Sequence, residues 1–214
     1  VAGLDDESSP AQRLGTEVHN AIKEYHLRNW VMTHKLDPNM GAYNSVLSEE
    51  AYKLVAVYTS NVEASLVDKV EHEFLIPVEN IANGEKLPIK LHGFIDGITT
   101  KTHWLHEHKT SSNYWKLEDA DTNIQATAYA YAYFMETGIV PEGIRFNILK
   151  KNKIDCKYQS LETYRTMEDF VYFFNWVRKT LVEITNSEFL PKQTRFNSHH
   201  RLCPLHINKR LDNE

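Results

Sequence analysis

The stretch Trp104-Leu105-His106-Glu107-His108-Lys109-Thr110 is rich in β-formers and sets an acid and a lysine two residues apart. Side chains alternate faces along a strand, so Glu107 and Lys109 point the same way. Upstream, Gly93-Phe94-Ile95-Asp96-Gly97 places another acid near the end of a second predicted strand. The runs Ile89 to Thr99 and Thr102 to Lys109 are separated only by Thr100 and Lys101, which predicts an antiparallel pair. As neighbours they let Asp96 and Glu107 converge on one divalent cation. Hard oxygen ligands with room for water suit Mg²⁺ or Mn²⁺ better than Zn²⁺. Lys109 then stands beside an attacking water or a reacting phosphate, an arrangement suited to phosphodiester hydrolysis.

On the N-terminal side, Val70, His72, Phe74 and Ile76 alternate with Glu71, Glu73 and Leu75 before Pro77, a strand pattern that completes a three-stranded meander from about Val70 to Thr110. Two helices are expected before it. Leu14, Val18, Ala21, Ile22 and Tyr25 recur at helical spacing between Gln12 and Trp30, and Leu54, Val55, Val57, Tyr58, Val62 and Leu66 form a second stripe running from Ser48 to near Asp68. Thr33 to Ser45 reads as a loop. After the meander, Asn123 and its neighbours can cap a helix from Ile124 to Thr137 that ends at Gly138. Ile144 to Leu149 and Ile154 to Tyr158 then read as strands. Thr166 and Asp169 resemble a capping box for a closing helix whose apolar face is Phe170, Phe173, Phe174, Val177, Leu181 and Ile184.

Composition limits the function classes. The chain has 214 residues, 42% hydrophobic and 25% charged, which suits one mixed domain rather than a fibrous or disordered chain. The expected layout is a single domain over 1–214, with an N-terminal arm at 1–11 and an irregular tail at 187–214. With 24 Lys+Arg against 29 Asp+Glu, the net charge of -5 gives no whole-protein basic field, so any polyanion contact is local. The longest apolar run, Ala128 to Met135, is far short of the ~20 residues of a membrane span. Val1 to Pro10 has neither a cationic start nor an apolar core, and the two cysteines, Cys156 and Cys203, are no disulfide framework. These features predict an intracellular chain, in cytoplasm or nucleoid, with no membrane partner.

Four segments, in order, resemble the PD-(D/E)XK nucleases and within them the RecB-like exonuclease branch. Gly15-Thr16-Glu17-Val18-His19 looks like that branch's helix-borne Gly-to-His motif, and Gly93 to Asp96 like the strand with the first acid. Glu107-His108-Lys109-Thr110 resembles the E-x-K-T signature, and Gln125 with Tyr129 the Q-x-x-x-Y motif. The resemblance implies an α/β, restriction-endonuclease-like core, a central mixed β-sheet flanked by helices. It implies one or two Mg²⁺ or Mn²⁺ ions held by His19, Asp96, Glu107 and the backbone carbonyl of His108, with Lys109 as the catalytic lysine and Gln125 and Tyr129 lining the site. The expected substrate is DNA, single-stranded or with free ends, and recombination, repair or replication proteins are expected as associates. Iron-sulfur members of the branch carry a cysteine cluster; with two cysteines this chain is expected to hold no such cluster.

Plainer roles stand beside these. His19 can be a helix-surface histidine, Asp96 can cap a turn with Gly97, Glu107 and Lys109 can be solvent-facing strand charges, and Gln125 and Tyr129 can simply pack on the sheet. Tyr114 and Trp115 beside Lys116 can stack on unpaired bases and meet phosphate, or form an apolar lid. His199, His200 and His206 around Cys203 are a zinc site in principle and a surface segment by default. The expected activity is a metal-dependent deoxyribonuclease, more an exonuclease than a sequence-specific endonuclease. The alternatives are a non-catalytic nucleic-acid-binding or interaction module that keeps the nuclease fold, and a metal-dependent hydrolase acting on a small phosphate ester.

Overall fold

A computed structural model describes residues 9–33, 47–152 and 155–186, with only the backbone of 29–33. The expected loop across 34–45, Ile154 and the His/Cys tail lie outside the described residues. The chain divides into two compact units, Val1–Trp176 and Val177–Glu214, and the sheet and every candidate site residue described belong to the first.

Helix α1, Pro10–Thr33, starts two residues earlier than its apolar stripe predicts. Ser9 and Gln12 form a reciprocal cap, Gln12 N–H to Ser9 Oγ at 3.2 Å and Ser9 N–H to Gln12 Oε1 at 2.7 Å, and Pro10 occupies the first helical position, where no N–H is needed. Its buried residues Leu14, Val18, Ile22 and His26 recur every fourth position. Helix α2, Glu49–Thr59, packs on this stripe through Ala51, Leu54 and Tyr58. Glu17 of α1 clamps the start of α2 by accepting from Ser48 Oγ at 2.8 Å and from Ser48 N–H at 2.5 Å.

The second apolar stripe predicts a helix to Asp68, but α2 stops at Thr59. Ser60 Oγ donates to the Ala56 carbonyl and Asn61 Nδ2 to the Val57 carbonyl, both at 2.8 Å, so side chains cap the orphan carbonyls and the chain leaves the helix. Val62 is still buried, and Ala64–Leu66 form a short 3-10 turn, so the stripe continues through irregular chain.

Five strands follow: β1 Lys69–Glu79, β2 Lys86–Thr99, β3 Trp104–Ser111, β4 Gly143–Lys150 and β5 Lys157–Thr163. They form one sheet in sequence order, antiparallel except for the parallel β3–β4 pair. A parallel pair requires a crossover, supplied by α3, Leu117–Asp121, and α4, Ile124–Thr137, which has the expected Asn123 and Gly138 caps. The closing helix α5 spans Met167–Thr185; Phe170, Phe173 and Phe174 are buried as predicted, while Ile184 is exposed.

Strand boundaries differ from expectation in several places: β2 starts at Lys86 rather than Ile89, β3 runs Trp104–Ser111, and β5 continues to Thr163 rather than Tyr158. Pro77 does not end β1, because β1 is an edge strand and tolerates the missing donor; the ladder shifts between Pro77 and Glu79 instead. The last strand starts at Lys157 rather than Ile154, with Cys156 turned into the core beside Leu54 and Leu149.

Buried Arg165 fixes the crossover to β5. Its five N–H groups reach Thr127 Oγ1, Thr163 Oγ1 and the carbonyls of Tyr164, Ala120 and Asn123 at 2.6–3.2 Å, which satisfies the whole guanidinium without a carboxylate. Asn123 and Thr127 bracket Gln125, so this clamp also sets the first turn of α4 over the sheet.

Candidate active site

The ladder between β2 and β3 runs from Thr99↔Trp104 only to Gly97↔His106. Beyond it the side chain of Asp96 takes the place of a main-chain acceptor: Asp96 Oδ2 accepts from the His108 N–H at 2.7 Å. Glycine on either side of Asp96 permits the close approach of neighbours. A Cβ on Gly97 would lie 2.8 Å from Val67 Cγ1, and one on Gly93 2.6 Å from the Phe74 ring. The acid thus sits where two strands part.

Glu107 and Lys109 share a face of β3, as alternation predicts, and form an ion pair. Lys109 Nζ also donates to Gln125 Oε1 at 2.8 Å, and Gln125 Nε2 donates to the Tyr129 hydroxyl at 2.6 Å. An ammonium cannot face the amide NH₂, which orients Gln125 with its oxygen toward Lys109. Burial raises the pKa of Tyr129, so its hydroxyl keeps its proton.

His19 enters from α1, with Nδ1 3.7 Å from Asp96 Oδ2. Gly15, one turn earlier, faces Thr110 Oγ1 of β3. The imidazole of His108 is buried, with Nδ1 accepting from Asn147 Nδ2 at 3.2 Å and its ring edge-on to Tyr58 and His19. That leaves its main-chain carbonyl, not its ring, as the atom compatible with the expected ligand role.

The structure adds a group that sequence reasoning missed. Ligand atoms of His19, Glu71 and Asp96 all lie within 4.8 Å of one another. Glu71 falls in β1 between the pairs Val70↔Gly97 and His72↔Ile95, opposite Asp96, and takes a φ of +49°. A non-glycine residue in the left-handed region costs on the order of 1 kcal/mol. Alternation treats Glu71 and Glu73 of Val70–Phe74 alike; only the strand register singles Glu71 out.

The electrostatics favour a cation. Burial raises the pKa of Glu107 first, and the nearby Asp96 carboxylate raises it further; Lys109 opposes both. Asp96 is raised by burial and by Glu71, against the His108 hydrogen bond, Lys109 and a hydrogen bond with the Glu107 side chain. Glu107 Oε2 is buried with no hydrogen-bond partner among the described residues. An orphaned carboxylate oxygen among like charges is costly unless a positive charge joins it. The grouped donors, one imidazole and two carboxylates, with the Glu107 carboxylate beside Asp96, fit a hard divalent ion.

Of the remaining predicted residues, Trp115 packs on Phe146 with ring centroids 5.3 Å apart and is pinned by Gln159 through both main-chain groups. Tyr114 is exposed under the Lys150 ammonium, 4.3 Å from its ring centroid. Lys116 is exposed, its N–H donating to Asp119 Oδ2. No described hydrogen bond, ion pair or ring contact joins these three to the acid cluster.

The model of the PD-(D/E)XK nuclease superfamily matches residues 1–206. The chain belongs to that superfamily. Membership makes it a nuclease by family, implies a nucleic-acid substrate, and agrees with the mixed sheet flanked by helices; these nucleases use divalent metals, which the His19, Glu71 and Asp96 group can hold. A crystal structure of a candidate exonuclease from Eubacterium rectale is similar, with a TM-score of 0.56 at 14% identity, covering 96% of this chain and 76% of that one. At that identity the likeness speaks for the fold alone. The structure of SSO0001 matches with a TM-score of 0.37 at 13% identity, over 83% of this chain and 86% of that one. No curated protein sequence matches. No described helix is long and apolar enough to cross a membrane.

Proposed function

We propose that this chain is a Mg²⁺- or Mn²⁺-dependent deoxyribonuclease, an exonuclease that hydrolyses phosphodiester bonds at DNA ends or in single strands. The observation that carries this reading is Glu107 Oε2, buried beside Asp96 and Lys109 with no hydrogen-bond partner among the described residues. His19, Glu71, Asp96 and Glu107 would hold the cation. When bound, such an ion polarises the phosphoryl oxygen and lowers the pKa of water.

The chain's own residues do the rest. Lys109 places a compact positive charge where negative charge develops on the phosphoryl group. Glu107 and Gln125 hold that ammonium from two sides, so it needs no reorganisation as the reaction proceeds. Tyr129 accepts from Gln125 and keeps its own proton to donate to a phosphate oxygen. Exonuclease rather than sequence-specific action is favoured by the absence of any basic arm or recognition-helix signature in the sequence.

The test is a strand labelled at one end, supplied single-stranded, as duplex, and as RNA, with Mg²⁺ or Mn²⁺ and with EDTA. The reading requires a metal-dependent ladder that shortens progressively from DNA ends. Binding of DNA without cleavage in either metal would leave the non-catalytic module in its place.

A further inference from the structure

We propose that the outward face of the β1–β2 ribbon is a stacking platform for the unpaired nucleotides next to the scissile phosphate. This rests on the nuclease reading of the site and deepens it, naming a single strand as what the site receives. On this face the register pairs Glu73↔Phe94, Leu75↔His92 and Pro77↔Lys90, and all six residues are exposed. Leu75 is 58% exposed and Phe94 44%, while the alternate residues Phe74, Ile76 and Val78 are buried. Scattered exposed apolar residues are ordinary; a register-matched set on one ribbon is a surface.

The set has the chemistry of single-strand binding. Phe94 and His92 stand edge-to-face with centroids 5.4 Å apart, and His92 Nε2 is held by Glu73 Oε1 at 2.9 Å, which fixes the imidazole beside the phenyl ring. Lys90 follows two residues on, exposed and in no described ion pair. Aromatic faces that take any base and a lysine that meets phosphate are the usual elements of sequence-tolerant binding.

Continuity with the site chooses the occupant. Phe94 lies two residues from Asp96 on β2, and Glu73 two residues from Glu71 on β1, a rise of roughly 6.6 Å in each strand. A strand whose phosphate lies at Asp96 and Glu71 therefore meets Phe94 first, then His92, then Lys90. Pro77, on the free edge of β1, discourages a further strand from pairing there, so the ribbon offers its face rather than its edge.

The test measures affinity in the full chain carrying Lys109→Ala, so that strands stay intact. Probes are a labelled oligothymidylate, the same strand with one abasic position moved along its end, and a blunt duplex. Adding Phe94→Ala and His92→Ala weakens the oligothymidylate about tenfold, and Phe94→Trp retains affinity. One abasic position costs about tenfold with Phe94 present and little without it, a coupling that misfolding or lost charge does not produce. Equal abasic penalties in both proteins, or unchanged affinity in the double variant, overturn the platform. Concentration-dependent dimerisation abolished by Leu75→Asp, without that coupling, overturns it in favour of a contact with a second copy. The nuclease reading fails separately, if the wild-type chain cleaves nothing in Mg²⁺ or Mn²⁺ while the coupling is present.

Discussion

Strand β3 buries polar side chains on both faces, and the two faces meet the cost in opposite ways. On one, His106 and His108 give up their charge: burial pushes His106 down to about 3 and His108 well below the ordinary imidazole range. As neutral rings they use local partners, Thr99 for His106 Nε2 and Asn147 backed by Tyr158 for His108, and His106 Nδ1 is left with no hydrogen-bond partner among the described residues, a neutral orphan rather than a charged one. On the other face, Glu107 lies beside the Asp96 carboxylate and the Lys109 ammonium with one oxygen unpartnered among the described residues. Neutral burial serves stability; the carboxylates remain under electrostatic stress that a cation relieves. Alternate residues of one strand thus separate scaffold from chemistry.

The largest expected effect breaks the charged face. Asp96→Asn and Glu107→Gln keep shape and delete ligand charge, so each lowers turnover in Mg²⁺ at least a thousandfold. The Tm of Glu107→Gln in EDTA stays close to wild type, because relief of the repulsion with Asp96 offsets the lost ion pair with Lys109. Activity retained in either purified variant would remove the carboxylates from the site. Lys109→Ala comes next, lowering turnover about a hundredfold or more with DNA affinity within about threefold. Lys109→Arg does not restore it, since a planar guanidinium is no substitute for a point charge between Glu107 and Gln125. An affinity loss at unchanged turnover refutes the catalytic role.

The neutral face answers in stability. Asn147→Ala strands His108 Nδ1 and the Tyr158 hydroxyl, and urea unfolding in EDTA shows a loss of about 1–3 kcal/mol. Glu71→Gly separates ligand charge from backbone strain at a single residue. Glycine accepts the positive φ, so stability changes by less than about 1 kcal/mol, while the Mn²⁺ concentration for half-maximal activity rises. An unchanged metal titration removes Glu71 from the ligand set.

The smallest effect concerns pH. His26 is buried in α1, its Nδ1–H donating to the Ala64 carbonyl and its Nε2 accepting from the Tyr58 hydroxyl. Burial lowers its pKa, so the unfolded chain binds this proton more readily than the fold does. Its contribution is complete above the ordinary imidazole range near pH ~6.5 and is lost as pH falls below it. His26→Gln therefore flattens the fall of stability between pH 7 and 5 by up to about one proton's slope, measured by urea melts in EDTA.

Much of this molecule is legible in its residues taken locally. The spacing of Glu107 and Lys109 determined a shared face, Asn123 and Gly138 the bounds of α4, and the fourfold spacing of Leu14, Val18 and Ile22 the buried side of α1. Each depends on periodicity or capping within a few residues, where backbone geometry leaves little choice. The end of α2 was hidden because Val62 remains buried after the helix has stopped; a stripe reports burial, not conformation.

The tertiary structure alone decided which acids meet. Glu71 reaches His19 and Asp96 through the β1–β2 register, and that register emerges from a hairpin, a bulge near Pro77 and a buried face acting together. The same register ranks Phe94, His92 and Leu75 as a surface, while Phe146 of β4 and Gln159 of β5 make Trp115 a core contact, although all are apolar or aromatic residues in or beside strands. Local sequence sets the period of each element. The phase between elements belongs to the whole sheet, because one residue of slip would exchange its faces.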